Sequence, residues 1–245
     1  MTSGLRVAMW SGPRNISTAM MRAWENQADT AVVDEPLYAH YLQKTGVDHP
    51  GREEVMASQP TDWRMVAETL TGPIPGGKPV WYQKHMTQHV LAYMPLDWMD
   101  GLSNCFLIRR PEEVVASFTV QRPDAAPWEL GFEQQARIFE HVCDRLGSVP
   151  PVIDAEDVLK DPAAVLSLLC ARLGIAFSER MLHWPAGPRG SDGVWAPYWY
   201  HAVERSTGFE PYQPRELRLD PFQLRLAEYC RPYYERLATH HLEAI

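Results

Sequence analysis

Cysteine, basic charge and long hydrophobic runs are all scarce in this chain of 245 residues. The four cysteines, Cys105, Cys143, Cys170 and Cys230, are far apart and form no CxxC pair. We therefore expect buried, reduced thiols rather than disulfide bonds or a cysteine metal site. No apolar run reaches the roughly 18–20 residues that cross a bilayer, and no signal-peptide pattern stands at the N-terminus. These absences favour a cytoplasmic protein with no membrane partner.

Acidic residues outnumber basic ones, and the formal net charge is −8 at pH 7. This balance argues against a nucleic-acid partner, because such proteins usually carry a basic face. It leaves room for a local basic pocket that binds a small anion. The nine histidines are scattered, and the pair His240–His241 has no third ligand at a suitable spacing. We therefore predict no metal site, and the oligomeric state stays open.

Length and a hydrophobic content of 45% suit one large domain, residues 1–245. Short apolar runs alternate with helical patterns, which predicts a parallel sheet with helices on both faces. The predicted strands are residues 5–10, 30–33, 80–83, 105–108 and 152–153. Helices are predicted over residues 15–26, parts of 52–71, 111–120, 129–146, 161–173 and 222–242, with an irregular loop over 183–214. The predicted fold class is α/β: a three-layer sandwich with a central, mostly parallel sheet, like that of P-loop nucleotide hydrolases.

Polar turns follow the first four predicted strands. They read SGPRNIST, DEP, QKH and RRP in chain order. Ligands of open parallel sheets bind beyond the carboxyl ends of the strands. We therefore expect these four turns to converge on one cleft.

The first of these turns has the composition of an anion-binding loop. Small residues allow backbone N–H groups to face a ligand, and the following helix adds partial positive charge. Arg14 can add a forked donor, while Ser17 and Thr18 add hydroxyl groups. A capped helix start without a ligand is the structural alternative. The Walker A pattern GxxxxGK[ST] is absent, which disfavours a magnesium-dependent triphosphate enzyme.

This turn resembles the loop that binds the 5′-phosphosulfate in sulfotransferases. That family shows a proline, a basic residue, two small residues and a Ser/Thr pair in this order. The matching residues are Pro13, Arg14, Asn15, Ile16, Ser17 and Thr18. Ile16 departs from the family, which usually has glycine at this position.

Two further segments resemble sulfotransferase motifs. The family binds the 3′-phosphate with an arginine at a strand end and a serine eight positions later, as in Arg109 and Ser117. A late loop closes over the nucleotide in the family, and here Arg189 and Gly190 correspond to its basic residue and glycine. The resemblance implies 3′-phosphoadenosine 5′-phosphosulfate as donor co-substrate. It also implies transfer of a sulfuryl group to a hydroxyl or amine of a small-molecule acceptor.

The catalytic base is open between Glu35 and His85. Carbohydrate sulfotransferases have a similar Glu-Pro pair after the second strand, and there the glutamate is the presumed base. Cytosolic sulfotransferases place a lysine, one residue and a histidine after the third strand, whereas Lys84 and His85 are adjacent. His89 is a third candidate. The resemblance further implies that Lys84 stabilises the bridging oxygen of the donor.

Aromatic residues crowd the late loop and leave two interpretations open. They are Trp184, Trp195, Tyr198, Trp199 and Tyr200. They could line an acceptor pocket or hold the adenine, or they could form a small core of the loop itself. Two other functions also stay open: a non-catalytic module that binds the nucleotide or its bisphosphate product, and a nucleotide kinase-like P-loop enzyme.

Overall fold

The computed structural model describes residues 4–214 and 216–242, and a five-stranded parallel sheet forms their centre. The strands are β1 (Leu5–Ser11), β2 (Thr30–Asp34), β3 (Val80–Met86), β4 (Ser103–Ile108) and β5 (Val152–Asp154). Their order in the sheet is β2-β3-β1-β4-β5. The predicted α/β fold with a parallel sheet is confirmed.

Eleven α-helices connect or follow these strands in the part of the chain that is described. They are α1 (Ser17–Glu25), α2 (Tyr38–Thr45), α3 (Arg52–Ser58), α4 (Trp63–Thr71), α5 (Pro111–Phe118), α6 (Phe132–Leu146), α7 (Ala155–Lys160), α8 (Pro162–Arg172), α9 (Ala196–Trp199), α10 (His201–Arg205) and α11 (Pro221–Ala238). None of these helices has both the length and the apolar character that crossing a membrane requires.

The central strand β1 separates two hydrophobic cores. Successive side chains of a strand point to opposite faces, and Val7 and Met9 belong to one core while Ala8 and Trp10 belong to the other. Helices α1 and α8 pack on the first of these faces, and α4, α6 and α11 pack on the second. This arrangement is the three-layer sandwich expected from the sequence.

Strand β3 is longer than the sequence pattern indicates. The prediction ended it at residue 83 because charged residues follow, but it continues to Met86. Lys84 is accommodated because it pairs in register with Asp34 of the neighbouring β2 and lies against that carboxylate. This extension determines which of the two residues can reach the site, because Lys84 and His85 then point to opposite faces of the sheet.

Two other segments differ from the prediction. The helix predicted over residues 129–146 is broken at Gly131, whose φ of 73° favours glycine. A Cβ atom there would lie 2.4 Å from the Thr87 hydroxyl oxygen, so any residue other than glycine would clash at this position. The late segment 183–214, predicted as an irregular loop, contains the short helices α9 and α10.

Candidate active site

A cavity of about 380 Å³ lies at the carboxyl ends of the strands, beside the start of α1. The turns after β1, β2 and β4 contribute to its lining, as do the last residues of β3. Part of the segment 202–210, within and after α10, forms another side. The four polar turns of the sequence therefore meet at one cavity.

The loop between β1 and α1 has an unusual backbone. The φ angles are 56° at Arg14 and 46° at Ile16, both in the left-handed region. Branched side chains rarely adopt this region, so Ile16 marks local strain. No side chain among the described residues caps α1, and the first N–H groups of a helix lack intrahelical partners. The loop thus offers hydrogen-bond donors and positive potential to an anion in the cavity.

Two arginines meet at the edge of this loop, and we call Arg14 and Arg109 the arginine pair. Nε of Arg14 donates to Oγ of Ser117 at 2.8 Å, and Nη1 of Arg109 donates to the Arg14 carbonyl at 2.8 Å. Desolvation and the positive charge of Arg109 lower the pKa of Arg14. Glu113 accepts from Nε of Arg109 at 2.8 Å and offsets part of this charge. The remaining positive charge suits a bound phosphate.

The other residues of the loop complete this side of the cavity. Asn15 is buried, and its Nδ2 donates to the Leu107 carbonyl at 2.7 Å, which ties the loop to β4. Its Oδ1 has no hydrogen-bond partner in the described part of the chain. Ser17 and Thr18 line the cavity from the first turn of α1.

A buried ion cluster forms the opposite side, where the ammonium group of Lys84 contacts three oxygen atoms. Its Nζ lies 2.6 Å from Oε1 of Glu35, 2.8 Å from Oδ1 of Asp34 and 2.6 Å from the Tyr200 hydroxyl. The Tyr200 hydroxyl also donates to Asp34. Glu35 and Lys84 both line the cavity. The cluster therefore holds the Glu35 carboxylate at the cavity and the Asp34 carboxylate behind it.

Burial and charge act in opposite directions on this cluster. Burial raises the pKa of Glu35, the charge of Lys84 lowers it, and the charge of Asp34 raises it again, with a net increase. Burial lowers the pKa of Lys84, but the two carboxylates outweigh this effect and its pKa is raised. Lys84 thus stays protonated, while Glu35 has the raised basicity that a general base needs.

Next to this cluster lie four polar or aromatic side chains that we call the polar wall. They are Tyr38 of α2, His49 before α3, and Gln88 and His89 of the 3₁₀ turn Thr87–His89. The rings of Tyr38 and His89 are stacked with centroids 4.7 Å apart. The Tyr38 hydroxyl and Nδ1 of His49 are 2.8 Å apart. These contacts make the wall a preorganised surface.

Residues 5–236 match the family described as the sulfotransferase domain. The chain belongs to this family. Two curated proteins of Arabidopsis thaliana are similar to it: branched-chain-amino-acid aminotransferase-like protein 2, 36% identical over 232 residues, and protein 1, 38% identical over 234 residues. Each alignment covers 94% of this chain but 41% of the relative. The sulfotransferase domain thus spans about two fifths of these relatives, and their names give no activity to the shared part.

A solved structure supports the fold of this sulfotransferase domain. The sulfotransferase from Alicyclobacillus acidocaldarius is 15% identical and superposes with a TM-score of 0.55. The match covers 98% of this chain and 97% of that protein. At 15% identity this similarity shows the fold only, so the roles of individual residues must be argued from the geometry of the cavity.

Most of the residues predicted for the site line the cavity of this sulfotransferase domain. They are Arg14, Asn15, Ile16, Ser17, Thr18, Glu35, Lys84, Arg109 and Ser117. His85 does not line it. Its ring stacks on Trp10 with centroids 4.2 Å apart, and burial lowers its pKa to about 3. The alternation of side chains along β3 explains this position, because Lys84 takes the face toward the cavity.

Arg189 and Gly190 also lie outside the cavity lining. Nη1 of Arg189 is 3.7 Å from a carboxylate oxygen of Glu25, and its backbone N–H donates to Asp192. Asp192 in turn binds the buried Arg22 of α1. The sequence pattern cannot reveal the contacts with Glu25 and Arg22, since both residues belong to the distant helix α1. Residues 202–210 contribute to the cavity from the late segment instead.

Some of the late aromatic residues line the cavity, and others pack into the hydrophobic clusters of the fold. Trp184 and Trp195 are buried in hydrophobic clusters. Trp199 and Tyr200 line the cavity. A Cβ atom on Gly51 would clash with the Tyr198 ring, which places Tyr198 beside that glycine.

Sequence reasoning did not select Tyr38, His49 or Gln88. No motif marks them, because each reaches the cavity from a different segment. The one local signal in the sequence is that Tyr38 follows Glu35 by three residues. In the structure the backbone N–H of Tyr38 donates to the Glu35 carbonyl at 3.0 Å.

Proposed function

We propose that this sulfotransferase domain transfers a sulfuryl group from 3′-phosphoadenosine 5′-phosphosulfate to a hydroxyl or amine of a small acceptor. One observation carries the proposal: the arginine pair and the carboxylate of Glu35 face the same cavity. A donor with two anionic ends and an acceptor that must lose a proton need this combination.

At the donor side, the phosphates are the groups that need binding. We infer that Arg109 and Ser117 hold the 3′-phosphate, and that Arg14 with the start of α1 holds the 5′-phosphosulfate. The hydrogen bond between Arg14 and Ser117 supports one continuous anion site. Burial and the positive charge of Arg109 lower the pKa of Arg14, and the negative charge of a bound phosphate would oppose this effect.

At the acceptor side, we infer that Glu35 is the general base. The bond between sulfur and the 5′-phosphate oxygen breaks as the acceptor oxygen or nitrogen bonds to sulfur. The acceptor proton moves to a carboxylate oxygen of Glu35. The products are 3′,5′-bisphosphoadenosine and the sulfated acceptor. Positioning and charge stabilisation supply most of the rate, as in the related phosphoryl transfers.

Lys84 has a different proposed role from the one the resemblance implies. Its three ammonium protons match its three oxygen neighbours, Asp34, Glu35 and Tyr200. Contact with the bridging oxygen of the donor would require the loss of one of these hydrogen bonds. We infer that Lys84 positions Glu35 and keeps it ionised.

Calorimetric titration with 3′,5′-bisphosphoadenosine tests the nucleotide site without knowledge of the acceptor. ATP with magnesium is the comparison ligand, because a kinase-like enzyme would prefer it. We expect tight binding of the bisphosphate and weak binding of ATP. A preference for ATP, or no binding of either ligand, would refute the proposal. Binding without transfer to any acceptor would support a non-catalytic module instead.

A further inference from the structure

The late segment 183–214 reaches the ion cluster of Lys84 through Tyr200, which lies between α9 and α10. Arg189 and Gly190, the two residues of this segment that the resemblance assigns to the nucleotide, lie outside the cavity lining. Tyr200 does line the cavity, although it is only 5% exposed. The late segment therefore meets the Glu35 side of the cavity with a buried phenol.

The Tyr200 hydroxyl uses all of its hydrogen-bonding positions. It accepts from Nζ of Lys84 at 2.6 Å and from Nε1 of Trp195 at 3.0 Å. It donates to the Asp34 carboxylate, whose Oδ2 lies 2.7 Å away. A hydroxyl group has one proton to donate and two lone pairs to accept with, so these three contacts leave no position for a further partner. The hydroxyl is thus directed at the ion cluster and not at a ligand in the cavity.

A buried ion pair fixes the segment that leads to Tyr200. Nη2 of Arg22, in α1, donates to Oδ2 of Asp192 at 2.7 Å, and the two side chains are 0% and 5% exposed. The backbone N–H of Gly193 donates to Oδ2 of Asp34 at 3.1 Å. Separation of a buried ion pair is strongly unfavourable, because it leaves a charge without compensation. Contacts with α1 and β2 therefore set the position of the segment that carries Tyr200.

The hydroxyl also fixes the orientation of the Lys84 ammonium group. This group has three N–H donors, and its three oxygen neighbours belong to Asp34, Glu35 and Tyr200. When each neighbour accepts one N–H, one donor stays on Oε1 of Glu35 at 2.6 Å. Without the hydroxyl, one N–H loses its acceptor and Asp34 loses a donor. The ammonium group can then turn toward Asp34 and away from Glu35.

Resting on the sulfotransferase function above, we propose that Tyr200 is a positioning residue for the base. Its hydroxyl holds the Lys84 ammonium group on Glu35, and its proton takes up part of the negative charge of Asp34. Both effects favour the ionised carboxylate of Glu35 at the cavity. Through Tyr200 the late segment contributes to the transfer of the acceptor proton.

The charged and titratable groups around Glu35 give the direction of the expected change. They are Asp34 of β2, Lys84 of β3, Tyr38 of α2 and Tyr200 of the late segment. Burial raises the pKa of Glu35, the charge of Lys84 lowers it and the charge of Asp34 raises it. Loss of the Tyr200 hydroxyl weakens the effect of Lys84 and strengthens that of Asp34. Both changes raise the pKa of Glu35 further, so its ionisation moves to higher pH.

Tyr200→Phe removes the hydroxyl and keeps the ring, and Tyr41→Phe is the matched control. Tyr41 belongs to the same hydrophobic cluster and does not line the cavity, and its buried hydroxyl has no hydrogen-bond partner in the described part of the chain. NMR of protein with ¹³C-labelled glutamate follows the Glu35 carboxyl group as the pH changes, and Glu35→Gln identifies its signal. We expect the titration midpoint to move to higher pH in Tyr200→Phe and to stay in place in Tyr41→Phe.

An unmoved midpoint in Tyr200→Phe would overturn the proposal. A tyrosine that only supports the fold changes the melting temperature, but it does not change the titration of a neighbouring carboxylate in the folded protein. Melting temperatures and affinity for 3′,5′-bisphosphoadenosine show that both variants are folded. With any acceptor that is sulfated, the rising limb of kcat/KM should move to higher pH in Tyr200→Phe as well. A loss of turnover at every pH with an unmoved limb would contradict the positioning role.

The titration needs neither donor nor acceptor, so its result is separate from the test of the proposed function. If 3′,5′-bisphosphoadenosine does not bind, the sulfotransferase assignment fails, and the role of Tyr200 in proton transfer falls with it. If the bisphosphate binds and the Glu35 midpoint is the same in Tyr200→Phe as in the unaltered protein, the nucleotide site stands and the proposal for Tyr200 is overturned.

Discussion

The ammonium group of Lys84 lies 2.6 Å from the Glu35 carboxylate, and Lys84 is fully buried while Glu35 lines the cavity. A base that accepts a proton must be ionised first, and burial alone opposes ionisation. Lys84 counters this effect, and Asp34 and Tyr200 hold Lys84 in place from behind. The cluster can therefore keep the buried carboxylate of Glu35 ionised.

The first prediction concerns Glu35 as the base. Glu35→Gln removes the proton acceptor but preserves the shape of the side chain, so turnover should fall by about 10²–10⁴-fold. Affinity for 3′,5′-bisphosphoadenosine should stay within about twofold. Turnover and calorimetry on the same preparation check both values. Glu53→Gln, at an exposed position of α3, is the control and should behave like the unaltered protein. Retained turnover in Glu35→Gln would exclude Glu35 as the base.

The second prediction concerns the pH dependence of the reaction. Only ionised Glu35 accepts a proton, so kcat/KM should rise with pH up to its raised pKa and then level off. The charge of Lys84 lowers the pKa of Glu35. Lys84→Met should therefore move the rising limb to higher pH. Melting temperatures of both proteins show whether the variant is folded. An unmoved limb would mean that Lys84 does not tune the base.

The third prediction concerns the arginine pair. Arg109→Ala should weaken binding of 3′,5′-bisphosphoadenosine by about 2–4 kcal/mol, because a bound phosphate loses a charged partner. Arg110→Ala is the matched control, since Arg110 follows directly in the chain but does not line the cavity. Calorimetry on the two variants gives the comparison. Equal affinities would remove Arg109 from the nucleotide site.

The part of the cavity that carries the arginine pair could largely be predicted from the sequence because its signals are local. The apolar run of β1, the polar turn after it and the start of α1 are consecutive in the chain, and so are Arg109 and the helix that carries Ser117. Short-range patterns of this kind predict both the strand and the residues that lie at its carboxyl end.

Glu35 and Lys84 could be selected from the sequence, but their partners and the polar wall could not, because these are contacts between distant segments. β3 continues through Lys84 because the ammonium group of this residue pairs with the Asp34 carboxylate on the neighbouring strand. As β3 continues, the alternation of its side chains turns His85 away from the cavity. His49 belongs to the polar wall through its hydrogen bond with Tyr38. Arg189 is held by Glu25 of α1. None of these pairings leaves a periodic pattern in the sequence.

The fourth prediction concerns the strained backbone of Ile16. Its φ of 46° favours glycine, the residue that sulfotransferases usually have at this position. Ile16→Gly and Ile16→Ala both remove the side chain that packs against the core, so their difference isolates the backbone. The glycine variant should be more stable by about 1 kcal/mol. Denaturant unfolding measures this difference. An alanine variant of equal or higher stability would show that the loop is not strained at this position.

The fifth prediction concerns stability at low pH. Burial lowers the pKa of His49 to about 4, whereas an unfolded histidine titrates near 6.5. As pH falls below about 6.5, the unfolded chain binds a proton that the folded protein rejects, so the free energy of unfolding decreases until about pH 4. His49 contributes up to about 3 kcal/mol to this loss.

His49→Gln removes the titrating ring and should flatten the decrease, as measured by denaturant unfolding at several pH values between about 4 and 7. His201→Gln alters an exposed histidine and should retain the original slope. The same slope in both variants would mean that His49 titrates alike in the folded and unfolded chain.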